Sequence, residues 1–296
     1  KLETSSVFPY ASSYGIEPLR KEWHKRQCLL NKSITQSSLP VVTNALTHGL
    51  SLIGDLFINP NDHMLLPNLF WGNYKLMWEL KNQAHLNFFS LFKEDYSGFN
   101  LSDFSQKLNN ISSEKVIVVL NFPNNPTGYS PSKSEASEIK QILQETAEKG
   151  KKIVAICDDA YAGLTYNDNC EEESLFGDLA NCSQNLLAIK IDGCSKEFFM
   201  WGFRVGFVTF GSKDLSPQAY QALEKKIASS VRGSVSNITH LGQKILLNTL
   251  NSNSTIDEIK QKHKILSQRY QTVNEIVYLK KFSSFWTPYP FNSGYF

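Results

Sequence analysis

Short apolar runs recur along this chain, separated by segments of helical period, and that alternation leaves few folds open. Val116–Leu120, Ile153–Cys157 and Leu186–Ile191 are such runs, each too short for a helix and bounded by polar or turn residues. Strands without polar alternation are buried on both faces, which is the pattern of a parallel sheet covered by helices. His63–Leu66, Leu86–Leu91 and Val205–Phe210 read as further strands. Helical segments are expected over Glu17–Leu29, from Thr47 up to the Asn59-Pro60-Asn61-Asp62 turn, and over Trp71–Lys81, Leu101–Leu108 and Lys133–Glu148. From Pro217 to Lys281 the pattern is long and helical, which marks an exit from the sheet. The reading predicts an α/β fold with a mainly parallel sheet flanked by helices.

Composition removes several functions. The 296 residues, 41% of them hydrophobic and 20% charged, suffice for one large domain or two smaller ones. A net charge of +2 with scattered Lys and Arg gives no nucleic-acid footprint and no membrane-surface patch. No run of about 18 apolar residues could span a bilayer, and the start lacks the apolar core of a signal peptide. A cytoplasmic protein is expected. Cys28, Cys157, Cys170, Cys182 and Cys194 show no CxxC or CxH spacing, so reduced thiols are expected, without a disulfide framework or a metal site.

In open parallel sheets ligands sit beyond the carboxyl ends of the strands. After Val116–Leu120 comes Asn121-Phe122-Pro123-Asn124-Asn125-Pro126-Thr127-Gly128, a doubled Asn between prolines. It is either a rigid loop presenting side-chain amides or a tight turn that uses Asn for its tolerance of left-handed backbone. After Ile153–Cys157 comes Asp158-Asp159-Ala160-Tyr161. A carboxylate there could keep a pyridine nitrogen protonated; the plainer role, capping a following helix, fits Asp159 better than Asp158. After Leu186–Ile191 comes Gly193-Cys194-Ser195-Lys196, then Trp201-Gly202-Phe203-Arg204-Val205-Gly206. A lysine among Cys194, Phe198, Phe199 and Met200 would be desolvated and so available as the neutral amine. Arg204, in a Gly-flanked apolar strand, calls for an anion.

The order NNPTG, then D-x-A-Y, then S-K followed by G-x-R-x-G resembles the three-part signature of the class I/II, fold-type-I aminotransferases, which depend on pyridoxal 5'-phosphate. The resemblance runs from the Tyr10–Arg20 segment to the end of the chain. It implies that Lys196 holds the cofactor as a Schiff base and moves protons, that Asp158 pairs with the pyridinium nitrogen, and that Asn125 and Tyr161 bond its 3-oxygen. Arg204, Ser195 and the amides of Ala45, Leu46 and Thr47 would grip the phosphate, and Trp71 would stack on the ring or serve as a core aromatic. Asn125 and Trp71 would also meet the substrate. Tyr10 would reach the neighbouring subunit's cofactor, which implies a homodimer. Arg232, in Arg232-Gly233-Ser234-Val235-Ser236-Asn237, resembles the arginine that meets a distal carboxylate in aspartate and aromatic aminotransferases; it is equally readable as part of a helix-linking turn. Phe199, Gly193 and the Ala45-Leu46-Thr47 loop depart from the commoner pattern and leave fewer phosphate hydroxyls.

The domains implied are a truncated N-terminal segment over 1–30, a large cofactor domain over 31–250, and an interdomain helix with the start of an incomplete small C-terminal domain over 251–296. The first residue is Lys1, and Ser293-Gly294-Tyr295-Phe296 reads as the entry to a strand, so the sequence is expected to be a fragment. The family's arginine for the substrate α-carboxylate would lie beyond Phe296. The activity implied is amino-group exchange between an amino acid, aspartate or an aromatic one among the candidates, and a 2-oxo acid such as 2-oxoglutarate. A carbon–sulfur lyase using the same lysine is an alternative, as is a cofactor-sensing domain of a transcription regulator.

Overall fold

In the computed structural model, which describes residues 4–294, seven strands form one sheet in the order β1-β7-β6-β5-β4-β2-β3. The strands are β1 (Val41–Asn44), β2 (His63–Pro67), β3 (His85–Phe89), β4 (Lys115–Asn121), β5 (Lys152–Asp158), β6 (Leu186–Gly193) and β7 (Val205–Gly211). Pairing is parallel from β3 through β2, β4 and β5 to β6, whereas β7 runs antiparallel to both of its neighbours, β6 and β1. The expected mainly parallel α/β sheet is what forms. Its central strands are apolar because both faces are covered: Ile117 and Val119 of β4 pack in one cluster with Leu50 and Ile53, and Val116, Val118 and Leu120 in another with Phe104 and Ile139.

The helices are α1 (Glu17–Leu30), α2 (Ala45–Phe57), α3 (Leu101–Asn110), α4 (Lys133–Glu148), α5 (Leu175–Ala180), the short α6 (Cys194–Glu197), α7 (Pro217–Ser234), α8 (His240–Leu250) and α9 (Asn253–Val277); α2, α3, α4, α5 and α7 pack on the sheet, whereas α9 meets α8. Helix α4 starts where the sequence says it should. Ser132 accepts from the Glu135 amide, while the Glu135 carboxylate accepts from the Ser132 amide, a capping box of the kind that stabilises a helix start by about 1 kcal/mol.

Two expectations change, and two short elements are added. The segment read as an α-helix over Trp71–Lys81 is a π-helix over Lys75–Lys81, preceded by a turn at Gly72 and helical backbone at Asn73 and Tyr74. Val41–Asn44 and Leu175–Ala180, to which the sequence assigns no element, are β1 and α5. Arg204 lies just before its strand, not within it, in left-handed backbone with φ 55°. At the C-terminus, Ser293 forms an isolated antiparallel bridge with Thr165, and Tyr295 and Phe296 lie outside the described residues.

Candidate active site

One edge of the sheet collects most of the residues singled out in the sequence, and topology is the reason. The parallel strands all end at this edge, so the residues after β2, β4, β5 and β6 meet there. β1 also ends there. β7, being antiparallel, begins there and so places Arg204 at the site. Ala45, Leu46, Thr47, Trp71, Asn125, Asp158, Tyr161, Ser195, Lys196 and Arg204 line one pocket of about 190 Å³.

The doubled asparagine divides its work. Asn124 is buried and holds the loop: its side chain donates to the Leu69 carbonyl at 3.2 Å and accepts from the Thr127 hydroxyl at 2.7 Å. Asn125 faces the pocket, and its own amide donates to Asn121 Oδ1 at 2.8 Å. The turn role and the presenting role therefore fall to adjacent residues.

Asp158 is buried at the end of β5, and Tyr74 donates its hydroxyl to Asp158 Oδ2 at 2.5 Å. Burial raises the Asp158 carboxyl to about 6, against the Tyr74 hydrogen bond and the Ala160 amide, which favour the anion. Tyr74 is a residue the sequence reading passed over. It stands edge-on to Trp71, with ring centroids 5.6 Å apart, and stacks on Trp78 at 4.6 Å. An aromatic residue in a helical segment reads as core, and only its neighbour in space shows its second task. Asn121, also missed, lines the same pocket and donates to the Asp158 carbonyl at 3.0 Å.

Tyr74→Phe is expected to destabilise the protein by about 1–3 kcal/mol at pH 8, the cost of leaving a buried carboxylate short of a donor. Asp158 is protonated in the folded state below about pH 6. The charged bond, and with it most of the cost, should therefore appear as pH rises through that value and shrink at pH 5. Urea unfolding of both proteins at pH 5 and pH 8 measures the difference.

Asp159 does not cap a helix, contrary to the plainer sequence reading. It is buried, accepts from the Ser174 hydroxyl at 2.7 Å and forms an ion pair with Lys190.

Lys196 is half-buried, with Nζ 5.5 Å from the centre of the Tyr161 ring. Burial, and then the charge of Arg204, lower its pKa, in the direction that favours a nucleophilic amine. Burial also raises the Tyr161 phenol, with Asp158 adding to the shift.

Beside these groups is a cradle for an anion. Ala45 opens α2 in left-handed backbone at φ 59°, and its amide donates to the Arg204 carbonyl at 3.2 Å. Gly206 permits this approach: a Cβ there would stand 2.7 Å from the Ala45 carbonyl carbon and 2.9 Å from the Leu46 nitrogen. No side chain caps the start of α2, and with the Ala45 amide taken by Arg204, the next residues of its first turn, Leu46 and Thr47, line the pocket. The buried Ser195 hydroxyl has no hydrogen-bond partner among the described residues.

Two expected site residues lie elsewhere. Tyr10 is 87% exposed and borders a separate open cleft with Tyr14 and His240. Arg232 is exposed near the end of α7, where it donates to Ser236 Oγ at 2.8 Å, and it does not line the pocket. Among the described residues no group of His, Cys, Asp and Glu could hold a metal, and no helix is long and apolar enough to cross a membrane.

Known proteins share this arrangement of fold and sequence. An aspartate/prephenate aminotransferase assigned as probable in Aquifex aeolicus is 28% identical over 275 residues, covering 90% of this chain and 62% of its own length. The aspartate aminotransferase of Sulfurisphaera tokodaii is 26% identical over 268 residues, again covering 90% of this chain and 60% of its own. The chain thus spans about 60% of the length of these curated relatives. An aminotransferase crystal structure from Anaerococcus prevotii superposes with a TM-score of 0.86 at 23% identity, over 99% of this chain and 71% of that one. At that identity the superposition speaks for the fold. The family model for aminotransferase class I and II matches residues 2–287, nearly the whole sequence, and this chain belongs to that family.

Proposed function

We propose that the pocket binds pyridoxal 5'-phosphate and that the protein of which this chain is part exchanges amino groups between an amino acid and a 2-oxo acid. The observation that carries this reading is the convergence, in one pocket, of an amine with a lowered pKa, a buried carboxylate and an uncapped helix start beside a buried, unpartnered Ser195 hydroxyl. These residues fit the cofactor chemically: an aldehyde for Lys196, a ring nitrogen for Asp158, a phosphate for Ser195, Arg204 and the first amides of α2. When bound, the cofactor supplies an electron sink for negative charge developing at the amino acid's Cα.

The chain's own residues would do the rest. Lys196 would hold the cofactor and carry the proton to and from Cα. Asp158, backed by Tyr74, would keep the ring nitrogen protonated. Asn125 and Tyr161 would bond the 3-oxygen, and Trp71 would pack on the ring. Arg232 and Tyr10, exposed and away from this pocket, suit work on a neighbouring copy in a homodimer, with Arg232 meeting a distal carboxylate. The division at residues 30 and 250, and a cytoplasmic setting, belong to the same proposal. The names of the relatives favour an acidic or aromatic donor, such as aspartate.

A panel of amino acids tests the reaction. Transamination should convert the cofactor to its amine form with one 2-oxo acid released per site, and 2-oxoglutarate should restore the original absorbance. Continuous release of 2-oxo acid and ammonia without an acceptor would instead establish elimination, and no conversion with any donor would favour a sensing role.

A further inference from the structure

Behind the pocket, on the opposite face of the sheet, two buried carboxylates flank a buried lysine. Lys190 of β6 is 5% exposed, yet it is paired with Asp159, 6% exposed, and lies 3.8 Å from Asp192. Burial alone would lower the Lys190 pKa, but the two carboxylates outweigh it and hold the amine charged, above its ordinary range. Helix α1 closes the cluster. Trp23 Nε1 donates to Asp192 Oδ1 at 3.0 Å, and Gln27 Nε2 donates to Asp192 Oδ2 at 3.0 Å and to Thr209 Oγ1 at 3.1 Å. A buried ion pair is costly to assemble and is weak evidence for stability alone, so its position calls for an explanation.

Asp159 follows Asp158 directly, and the two carboxylates point to opposite faces: Asp158 to Tyr74 and the pocket, Asp159 to Lys190 and Ser174. The Asp159 backbone is tied as well, its amide donating to the Ile191 carbonyl at 2.9 Å and its carbonyl accepting from the Ala162 amide at 3.1 Å. The turn over 158–162, which carries both Asp158 and Tyr161, is therefore anchored from behind by a side chain that never enters the pocket.

We infer that Lys190 is a positioning residue: through Asp159 it fixes the turn that presents Asp158 and Tyr161 to the cofactor ring. This rests on the pocket being the cofactor site. Asp192, braced by Trp23 and Gln27, keeps the lysine facing Asp159, so α1 contributes to the geometry of a site it does not touch.

The test compares the wild type with Lys190→Met, and with Lys190→Met combined with Asp159→Asn, in the full-length protein. Three quantities are read: the urea midpoint, the pyridoxal phosphate dissociation constant, and the visible circular dichroism of the bound cofactor, which reports ring orientation. Lys190→Met strands two buried carboxylates, so its midpoint should fall and cofactor binding should weaken about tenfold or more. The double variant removes one stranded charge and should recover much of the midpoint, while its affinity stays reduced and its dichroism altered because the tether is gone. Recovery of affinity and dichroism together with stability would show that the pair only stabilises the fold, and would overturn the proposal. Wild-type affinity in Lys190→Met would also overturn it. A wild type that takes up no pyridoxal phosphate would instead refute the cofactor reading beneath it, a distinct result.

Discussion

Replacing Lys196 with alanine should reduce amino-acid turnover by about four orders of magnitude or more, while leaving the fold and much of the phosphate binding intact. The size follows from what the proposed mechanism asks of the one amine, to hold the cofactor and to move the Cα proton, and a positioned proton-transfer group alone contributes about 10²–10⁴ in rate. The fold should survive because Lys196 is half-buried at the pocket wall, and its removal leaves the packing of Cys194 and Val205 in place. The groups proposed to hold the phosphate, Ser195, Arg204 and the start of α2, do not depend on it. An added primary amine should restore part of the rate by replacing the proton carrier. A Lys196→Ala protein that turned over amino acids at near wild-type rate would remove the lysine from the mechanism.

Asp158→Asn should cost about three orders of magnitude in the chemical step, close to 4 kcal/mol of barrier at about 1.4 kcal/mol per tenfold. An asparagine is nearly the same size and keeps a hydrogen bond, so the loss would isolate the charge proposed to hold the ring nitrogen protonated. The neighbouring Asp159→Asn should cost far less, about tenfold, because that carboxylate faces Lys190 and Ser174 on the other side of the sheet. The two adjacent residues make a sharp pair for single-turnover kinetics. Near-normal turnover in Asp158→Asn alongside a large loss in Asp159→Asn would mean that the carboxylates are assigned the wrong way round.

Much of the site was legible in the sequence because its residues follow apolar runs that could only be buried strands. Once Val116–Leu120, Ile153–Cys157 and Leu186–Ile191 are strands of one sheet, Asn125, Asp158 and Lys196 must share an edge. Short elements were harder to see. Val41–Asn44 has four residues and Leu175–Ala180 six, too few for either period to show. The left-handed backbone of Ala45 and Arg204 could not be read either, because neither residue type prefers it; it follows from the close approach that Gly206 allows. Tyr74 resembled any other helical aromatic. Lys190 and Asp192 did leave a signal: two charged residues two positions apart in an otherwise apolar strand share one face, and on a buried face they must be paired.

The most direct measurement is chemical. The protein loaded with pyridoxal phosphate is reduced with borohydride, digested, and its peptides are mapped for the pyridoxyl group. The label is expected on the peptide bearing Lys196 and at about one per chain, with none on the nearby buried Lys190. A label on Lys190 or any other lysine, or no stable label on a protein that binds the cofactor, would contradict the assignment of this pocket.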